Sequence, residues 1–311
     1  LGQSLAALRR GDITSGSRFL HGAMGGHFPY QSIPLQMNNW NERACELVQR
    51  VASEAGAQNA KRGALFIATS SFDIGAVEQG IAQINYDTFA NKVAAWLEWT
   101  GPVYVISTAC TSSLNALIAA HALLGTGEAD EAVVLGFELD NKLTLGGFAA
   151  MQLLSSSSSK PFATHRDGMV LGEAVTCLRL STSERSDWKI LGGANVVDGS
   201  QPTGASVSAI VSMYQRALAT SGLTPDNIDL IKVQAAGSPG NDAIEAQGLR
   251  AAFGKLPLLV SLKAAIGHTM GASGAAEIAL LSTCLEQGAW PGYTDHADQT
   301  LGVELTPQMP E

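Results

Sequence analysis

The sequence predicts a duplicated α/β protein in which largely parallel strands are packed between helices. The first observation is a repeated order of patterns: a helix, a strand, and then a strand, tight turn and apolar helix occur in the first half and again in the second. The second is that both apolar helices carry Ala and Leu on nearly every face, which is typical of a helix between two layers. Both turns lie between a strand and a helix, where α/β sheets present functional groups.

The elements follow the same order in both copies. In the first copy they are a helix over 43–57, a strand over 63–71 and a strand–turn–helix unit over 104–125. In the second they are a helix over 210–222, a strand over 228–237 and a strand–turn–helix unit over 258–288. The chain opens on an amphipathic helical pattern at 1–13 with no strand before it, so we expect terminal strands to be missing from the sequence.

The composition excludes several classes of protein. The chain has 311 residues, a formal net charge of −9 and 15% charged residues, so it lacks the basic stripe with which nucleic-acid-binding proteins neutralise phosphates. No apolar run reaches the ~18–20 residues of a membrane span. The four cysteines show neither a Cys-x-x-Cys pair nor a His at metal-ligand spacing. We therefore expect no disulfide, no metal and a cytoplasmic protein.

The turn of the first strand–turn–helix unit contains Cys110, in the segment STACTSS (107–113). If the helix begins at about Thr111, the sulfur lies at its N-terminus, where free N–H groups and the helix dipole favour a thiolate and can hold an oxyanion. A small buried residue that fills a gap in the core explains the same cysteine. The local pattern leaves both interpretations open.

The matching turn of the second half, SLKAAIGHTMGASG (261–274), places Lys263 and His268 five residues apart among small and apolar residues. A lone His in such surroundings is usually a core residue. A Lys and a His together, flanked by glycines that allow close backbone approach, indicate a site instead. Such a His can accept or donate a proton beside a thiolate.

Three motifs in register now carry a family resemblance. TACTSS (108–113), KPFATHRDGMVLGEA (160–174) and SLKAAIGHTMGASG (261–274) resemble the β-ketoacyl-acyl carrier protein synthases, the condensing enzymes of the thiolase fold. The resemblance implies two thiolase-like halves, 1–182 with the nucleophile and 183–311 with the Lys and His, in a five-layered α/β/α/β/α arrangement. It also implies that the second half is incomplete at its C-terminus, because the family's Gly-Phe-Gly-Gly loop is missing.

The resemblance also implies a mechanism. Cys110 would take an acyl group from the phosphopantetheine of an acyl carrier protein, with no other cofactor. A malonyl thioester would then be decarboxylated, and its carbanion would attack the acyl-enzyme. Lys263 and His268 match the family's Lys and the second of its two histidines, which stabilise the enolate oxygen and assist decarboxylation.

Three acidic residues match supporting positions of the family. Asp242 and Glu245 match the acidic pair of the motif HGTxTxxND..E, which supports the architecture around the Lys. Glu173 matches a family position to which we assign a structural role.

The sequence departs from the family at one catalytic position. Counting back eight residues from Asp242 and eleven from Glu245 gives Gln234, in VQAAGSPGND (233–242), where the family has its first His. Gln can donate a hydrogen bond, but it cannot become a cation or transfer a proton near neutral pH. Loss of one oxyanion donor typically costs ~100- to 1000-fold in rate. Condensation is therefore more affected than acyl loading of Cys110.

Three functions stay open at this point. The first is a condensing enzyme of fatty acid or polyketide/polyene-type synthesis, and the second is a related acyltransferase that does not elongate the chain. The third is a chain-length-factor-like partner subunit of a ketosynthase heterodimer. Retention of Cys110, Lys263 and His268 argues against the third, and loss of the His argues against the first. The expected partners are an acyl carrier protein and a second ketosynthase subunit, in a homodimer or heterodimer.

Two loop segments carry simpler expectations. The run of serines at 155–159 is typical of a flexible surface loop. Arg166 either shapes the site or forms a salt bridge with the neighbouring Asp167.

Overall fold

A computed structural model describes residues 15–22, 25–35, 37–83, 85–183, 185–199, 204–291 and 295–307, together with Gly2 and Ser4. The strands are β1 Ser15–Leu20, β2 Gly26–Gln31, β3 Ala64–Ala68, β4 Val103–Ile106, β5 Glu131–Glu138, β6 Leu171–Gly172, β7 Ala174–Ser181, β8 Leu230–Lys232 and β9 Leu258–Val260. The helices are α1 Trp40–Glu54, α2 Ile74–Glu78, α3 Tyr86–Trp96, α4 Ser112–Thr126, α5 Lys142–Ala150, α6 Val207–Ser221, α7 Pro239–Ala252, α8 Lys263–Ile266 and α9 Ser273–Glu286. The predicted opening helix at 1–13 lies outside these described ranges, apart from Gly2 and Ser4.

The first half is built on a mixed sheet with the strand order β4-β3-β5-β7. β3 pairs in parallel with β4 and β5, and β7 pairs antiparallel with β5. Side chains alternate across β3: Leu65 and Ile67 pack toward α1 and α3, whereas Phe66 packs toward α4. Since both faces are covered, every residue of β3 is buried, as is typical of a parallel strand between helices.

The second half contributes a parallel pair, β8 and β9, with α7 packed on one side and α9 on the other. Helix α9 also contacts α4, β5 and β7 of the first half. The layers therefore run from α1 and α3 through the first sheet, the central helices α4 and α9, and the β8–β9 pair to α7. This arrangement confirms the predicted five-layered α/β/α/β/α fold.

Strand β8 is shorter than the strand predicted over 228–237. The backbone N–H groups of Gln234, Ala236 and Gly237 donate to the side chains of Glu245 and Asp242 instead of to a neighbouring strand. The carboxylates thus end the strand and shape the loop that follows it.

A small sheet of order β1-β2-β6 packs against α5, where Leu20, Tyr30 and Leu171 share a cluster with Leu145 and Ala149. Tyr30 of β2 pairs in parallel with Leu171 of β6, and Leu171 in turn forms a bridge to His268. This sheet therefore links the motif at 160–174 to the predicted Lys–His turn. No helix in the described part of the chain is long and apolar enough to cross a bilayer.

The two loop expectations hold only in part: residues 156–158 are exposed, as expected of a surface loop, but the expected salt bridge between Arg166 and Asp167 is replaced by another pair. Ser155 and Ser159 at the ends of the serine run are buried, and their hydroxyls donate to Asp167 at 2.6 Å and to the Ala236 carbonyl at 2.7 Å. Asp167 accepts the hydroxyls of Ser155 and Ser156, and Arg166 pairs instead with Asp298 at 2.7 Å. The buried polar surroundings, which a run of serines does not reveal, fix this segment against the rest of the protein.

Candidate active site

Cys110 lies in the sharp turn between β4 and α4, directly before Thr111, the residue that precedes the helix. Ala109 adopts a left-handed backbone conformation with φ of 53°. The Ser112 hydroxyl accepts from the Thr108 N–H at 2.9 Å and donates to the Ala109 carbonyl at 2.6 Å, which closes the turn. The prediction that the helix begins just after the cysteine is confirmed, and the sulfur lies at its N-terminal end.

The side chains of Cys110 and His268 are brought together from the two halves. His268 Nε2 lies 3.1 Å from Cys110 Sγ, although 158 positions separate the two residues in the sequence. The His268 backbone is held by β6 and the residue before it: its N–H donates to the Val170 carbonyl at 2.7 Å, and its carbonyl accepts from the Gly172 N–H at 3.0 Å. The motif at 160–174 therefore positions the histidine.

The hydrogen bonds of His268 determine which ring nitrogen carries the proton. The Met270 backbone N–H donates to Nδ1 at 3.3 Å, and the Ser273 hydroxyl lies 3.0 Å from the same nitrogen. An acceptor Nδ1 carries no proton, so a neutral imidazole has its N–H at Nε2, pointing at the sulfur. Burial, with the positive charge of Lys263, lowers the pKa of His268 to about 3, which keeps the ring neutral near pH 7.

This arrangement makes His268 a hydrogen-bond donor to sulfur. Burial raises the pKa of the Cys110 thiol, while the charge of Lys263 lowers it. A donor N–H that faces the sulfur stabilises the thiolate relative to the thiol, and it can equally stabilise an oxyanion that forms beside it. The geometry suits a nucleophile whose neighbour supplies a fixed N–H.

Lys263 is completely buried and forms an ion pair with Glu277 of α9. The second oxygen of Glu277 pairs with Lys232 at the end of β8. The two lysines lower the pKa of Glu277 to about 2, against the effect of its burial, so this carboxylate is ionised at neutral pH. Burial lowers the pKa of Lys263, and the Glu277 charge opposes that shift.

Asp242 and Glu245 support the loop rather than the sulfur. Asp242 accepts backbone N–H groups of Phe162, Ala236 and Gly237 at 3.0 to 3.2 Å, and Glu245 accepts that of Gln234 at 2.7 Å. Burial raises the pKa of Glu245 to about 7. Both residues therefore hold the segment that contains Gln234.

The side chain of Gln234 is exposed, and within the described residues it makes no hydrogen bond to Cys110 or His268. The carboxylate of Glu173 also bonds to groups other than Cys110 and His268. Its carboxylate pairs with Arg43 at 2.6 Å and accepts the N–H groups of Ile33 and Asp140 at 2.9 and 2.8 Å. Its contacts agree with the structural role that the sequence predicts.

Glu277 and Lys232 were not among the predicted site residues. Each carries a signal in the sequence: Glu277 is a carboxylate inside the apolar run SGAAEIALL (273–281), and Lys232 is a cation inside the strand IDLIKV (228–233). A charge inside a buried element needs a partner. Which partner it takes depends on the packing of α9 against β8 and β9, and spacing alone does not give that.

Family models match most of the chain, from residue 46 to residue 296. The family model of the β-ketoacyl synthase N-terminal domain matches residues 46–186, and that of the C-terminal domain matches residues 190–296. Methylphloroacetophenone synthase of Cladonia uncialis is 35% identical over 205 residues, which are 61% of this chain and 8% of that protein. The chloroplastic 3-oxoacyl-[acyl-carrier-protein] synthase II of Arabidopsis thaliana is 34% identical over 202 residues, which are 58% of this chain and 37% of that protein. The chain thus spans well under two thirds of the length of either relative.

Solved structures support the fold. The ketosynthase ApeO in complex with its chain length factor ApeC, from Xenorhabdus doucetiae, is similar with a TM-score of 0.76 and 24% identity, covering 93% of this chain and 81% of that one. The ishigamide ketosynthase/chain length factor has a TM-score of 0.83 at 20% identity, covering 99% of this chain and 88% of that one.

Proposed function

Because the chain belongs to the β-ketoacyl synthase family, we propose that it is a condensing acyltransferase in which Cys110 carries the acyl group. The observation that supports this most is the 3.1 Å contact between Cys110 Sγ and His268 Nε2, made by residues from different halves of the fold. A protein that served only as a scaffold would have no chemical use for a thiol held against a neutral imidazole N–H.

The first step is transfer of the acyl group. The Cys110 sulfur attacks the carbonyl carbon of an acyl thioester, a new S–C bond forms, and the carrier leaves as a thiol with the proton of Cys110. The oxyanion that develops on the carbonyl oxygen needs donors, and the Nε2–H of His268 lies against the sulfur at which it forms. The apolar side chains packed around Cys110, among them Leu145, Phe148 and Met270, suit an apolar acyl chain.

The second step is condensation. A malonyl thioester loses carbon dioxide, the resulting carbanion attacks the acyl carbon, and the Cys110 sulfur leaves as a thiolate. His268 donates its Nε2–H to the enolate oxygen, and Lys263 supplies positive charge behind it. The carrier is an acyl carrier protein, in keeping with the name of the plant relative and with a solved ketosynthase complex that contains an acyl carrier protein.

A second candidate is acyl transfer without elongation, which one observation favours. Gln234 replaces the first His of the resemblance, and its exposed side chain makes no hydrogen bond to the Cys110–His268 pair in the described part of the chain. Loading of Cys110 needs only the thiol and nearby donors, whereas decarboxylation needs additional stabilisation of the enolate. A chain-length-factor-like partner role is the third candidate, because relatives of similar fold are ketosynthases solved with their chain length factors.

Intact-protein mass spectrometry separates the candidates. The protein is incubated with an acyl-acyl carrier protein and then with malonyl-acyl carrier protein, and Cys110→Ala is compared with Cys45→Ala, which changes another half-buried thiol far along the chain. The proposal predicts an acyl adduct lost only in Cys110→Ala and a chain extended after malonyl addition. An adduct without extension indicates the second candidate, and Gln234→His should then raise decarboxylation. Absence of any adduct, with co-purification of a second synthase subunit, indicates the third.

A further inference from the structure

Two ammonium groups converge on one carboxylate near the Cys110–His268 pair: the charges of both lysines act on His268, and that of Lys263 also acts on Cys110. Lys263 pairs with one oxygen of Glu277 and Lys232 pairs with the other. The side chains of Lys263 and Glu277 are completely buried, whereas that of Lys232 is 22% exposed. Lys232 is therefore the member of this cluster that a ligand can reach from solvent.

The cluster holds more positive than negative charge. Glu277 supplies one full negative charge against two lysines. Glu245 also lies near Lys232, and burial raises its pKa to about 7, so it is only partly ionised at neutral pH. The charge of Glu138 acts on Cys110, and the hydroxyls of Ser70 and Ser71 donate to this carboxylate at 2.7 and 2.5 Å. An anion that arrives at the cluster can therefore neutralise charge that the protein leaves unpaired.

Lys232 lies two residues before Gln234, on the same side of the backbone. Val233 between them is buried, and its N–H donates to the Val260 carbonyl of the neighbouring strand. Ile231, Val233 and Ala235 pack in one cluster with α7, so the positions between them, 232 and 234, project to the other side. Lys232 thus places a cation next to the position where this chain has a Gln that cannot carry charge.

We propose that Lys232 is a substrate-binding residue that holds the carboxylate of a carboxyl-bearing acyl thioester, such as a malonyl unit, on the His268 side of the Cys110–His268 pair. The identity of that substrate rests on the proposed function, but the anion site itself does not. Lys263 is too deeply buried to be reached, so it contributes charge rather than contact, and Glu277 holds both ammonium groups in place.

A pair of alkylating reagents tests the anion site without any turnover. Iodoacetate and iodoacetamide alkylate the same thiolate with loss of iodide, but only iodoacetate carries a carboxylate. The ratio of their rates at Cys110, followed by mass spectrometry of the Cys110 peptide, cancels the fraction of thiolate. We expect Lys232→Met to lower the iodoacetate-to-iodoacetamide ratio by about three- to tenfold, the size expected for one charge in partly screened surroundings. Lys232→Arg should keep the ratio, and Lys189→Met, which removes an exposed lysine elsewhere, should leave it unchanged.

An unchanged ratio in Lys232→Met, or an equal fall in Lys232→Arg, would overturn the proposal. The unmodified protein provides a check that needs no variant: free malonate should slow iodoacetamide alkylation of Cys110, and neutral malonamide should not. Equal effects of the two would also contradict it. If the ratio falls but no acyl adduct forms, the anion site stands and the proposed acyltransferase function fails. If the acyl adduct forms while the alkylation ratio is unchanged, the acyltransferase function stands and the anion site at Lys232 fails.

Discussion

The two strand–turn–helix units of this fold share a pattern, yet they differ in burial and in what holds them. In the first, residues Ser107, Thr108 and Ala109 are exposed, and the turn is closed by hydroxyls within a few positions of Cys110. In the second, Lys263 and His268 are buried; Lys263 pairs with Glu277 of α9, and the His268 backbone bonds to Val170 and to Gly172 of β6. The second turn is held by long-range contacts.

The difference indicates that the two halves have different roles: one open turn carries the thiol, and the other turn supplies buried polar groups. Under the proposed function Cys110 must be reached by its substrate, and the turn that carries it is open and relies on local hydrogen bonds. Electrostatic interactions and hydrogen bonds with Cys110 are stronger when water is excluded, which agrees with the burial of the other turn. Each polar group buried there needs a fixed partner. Substitutions in the buried turn should therefore cost more stability than those in the open one.

The largest effect is expected from Glu277→Gln. This change leaves Lys263 fully buried without its counter-charge, which costs about 3–5 kcal/mol in free energy of unfolding. Glu54→Gln removes a carboxylate from the exposed pair that Arg50 and Glu54 form on α1, where the loss should stay below about 1 kcal/mol. Urea denaturation of both variants measures the difference, and equal losses would refute the contrast between buried and exposed pairs.

The second-largest loss in free energy of unfolding is expected from Gly271→Ala. A Cβ at this position would lie 2.8 Å from the Ser70 backbone nitrogen and from Glu138 Oε1, so the backbone must shift, at a cost of about 3 kcal/mol. Gly125→Ala in α4 is the matched control, because a Cβ added there would meet nothing within 4 Å and the change should stabilise the helix by up to about 1 kcal/mol. A neutral result for Gly271→Ala in thermal or urea unfolding would show that this turn is looser than described.

The lowered pKa of His268 should make the free energy of unfolding depend on pH. Its pKa is about 3 in the folded protein and about 6.5 in an unfolded chain, so the unfolded state binds more protons between these values. Its contribution to the free energy of unfolding therefore rises with pH in this window, and acidification from pH 6.5 to 5 costs about 2 kcal/mol.

His268→Gln should flatten that part of the profile. Glu245 acts in the opposite direction, because its folded pKa of about 7 lies above the unfolded value, so its contribution is lost as pH rises toward 7. The comparison is therefore made between the variant and the unmodified protein at each pH by urea denaturation. Identical pH profiles for the two would mean that His268 titrates normally in the folded state.

The smallest effect is expected in the open turn. Ser112→Ala removes the hydroxyl that bonds Thr108 N–H and the Ala109 carbonyl, and the loss should be about 1 kcal/mol. The rate of Cys110 alkylation should fall more clearly than stability does, because the turn that presents the sulfur loosens. Thr126→Ala, at the exposed end of the same helix, is the control. A loss as large as that of Glu277→Gln would abolish the distinction between the two turns.

The architecture could be predicted because it depends on periodic patterns. The apolar helices, the strands that precede them and the Cys110 turn follow from the spacing of apolar and small residues, and the motifs implied that Cys110 and His268 act together. The sequence could not reveal that Asp242 and Glu245 end β8, or that Glu277 is shared by two lysines. Those features depend on which carboxylate meets which N–H group or ammonium after the layers pack, and residues far apart in the chain decide that.

The buried turn at 261–274 presents a fixed, neutral N–H of His268 to the sulfur of Cys110. Nitrogen-15 NMR of protein labelled at histidine, with His268→Gln used for assignment, reports the protonation of both ring nitrogens. We predict that His268 has a protonated Nε2 and an unprotonated Nδ1, with shifts that do not change between pH 5 and 8. A protonated Nδ1, or conversion to the imidazolium within that range, would contradict the account.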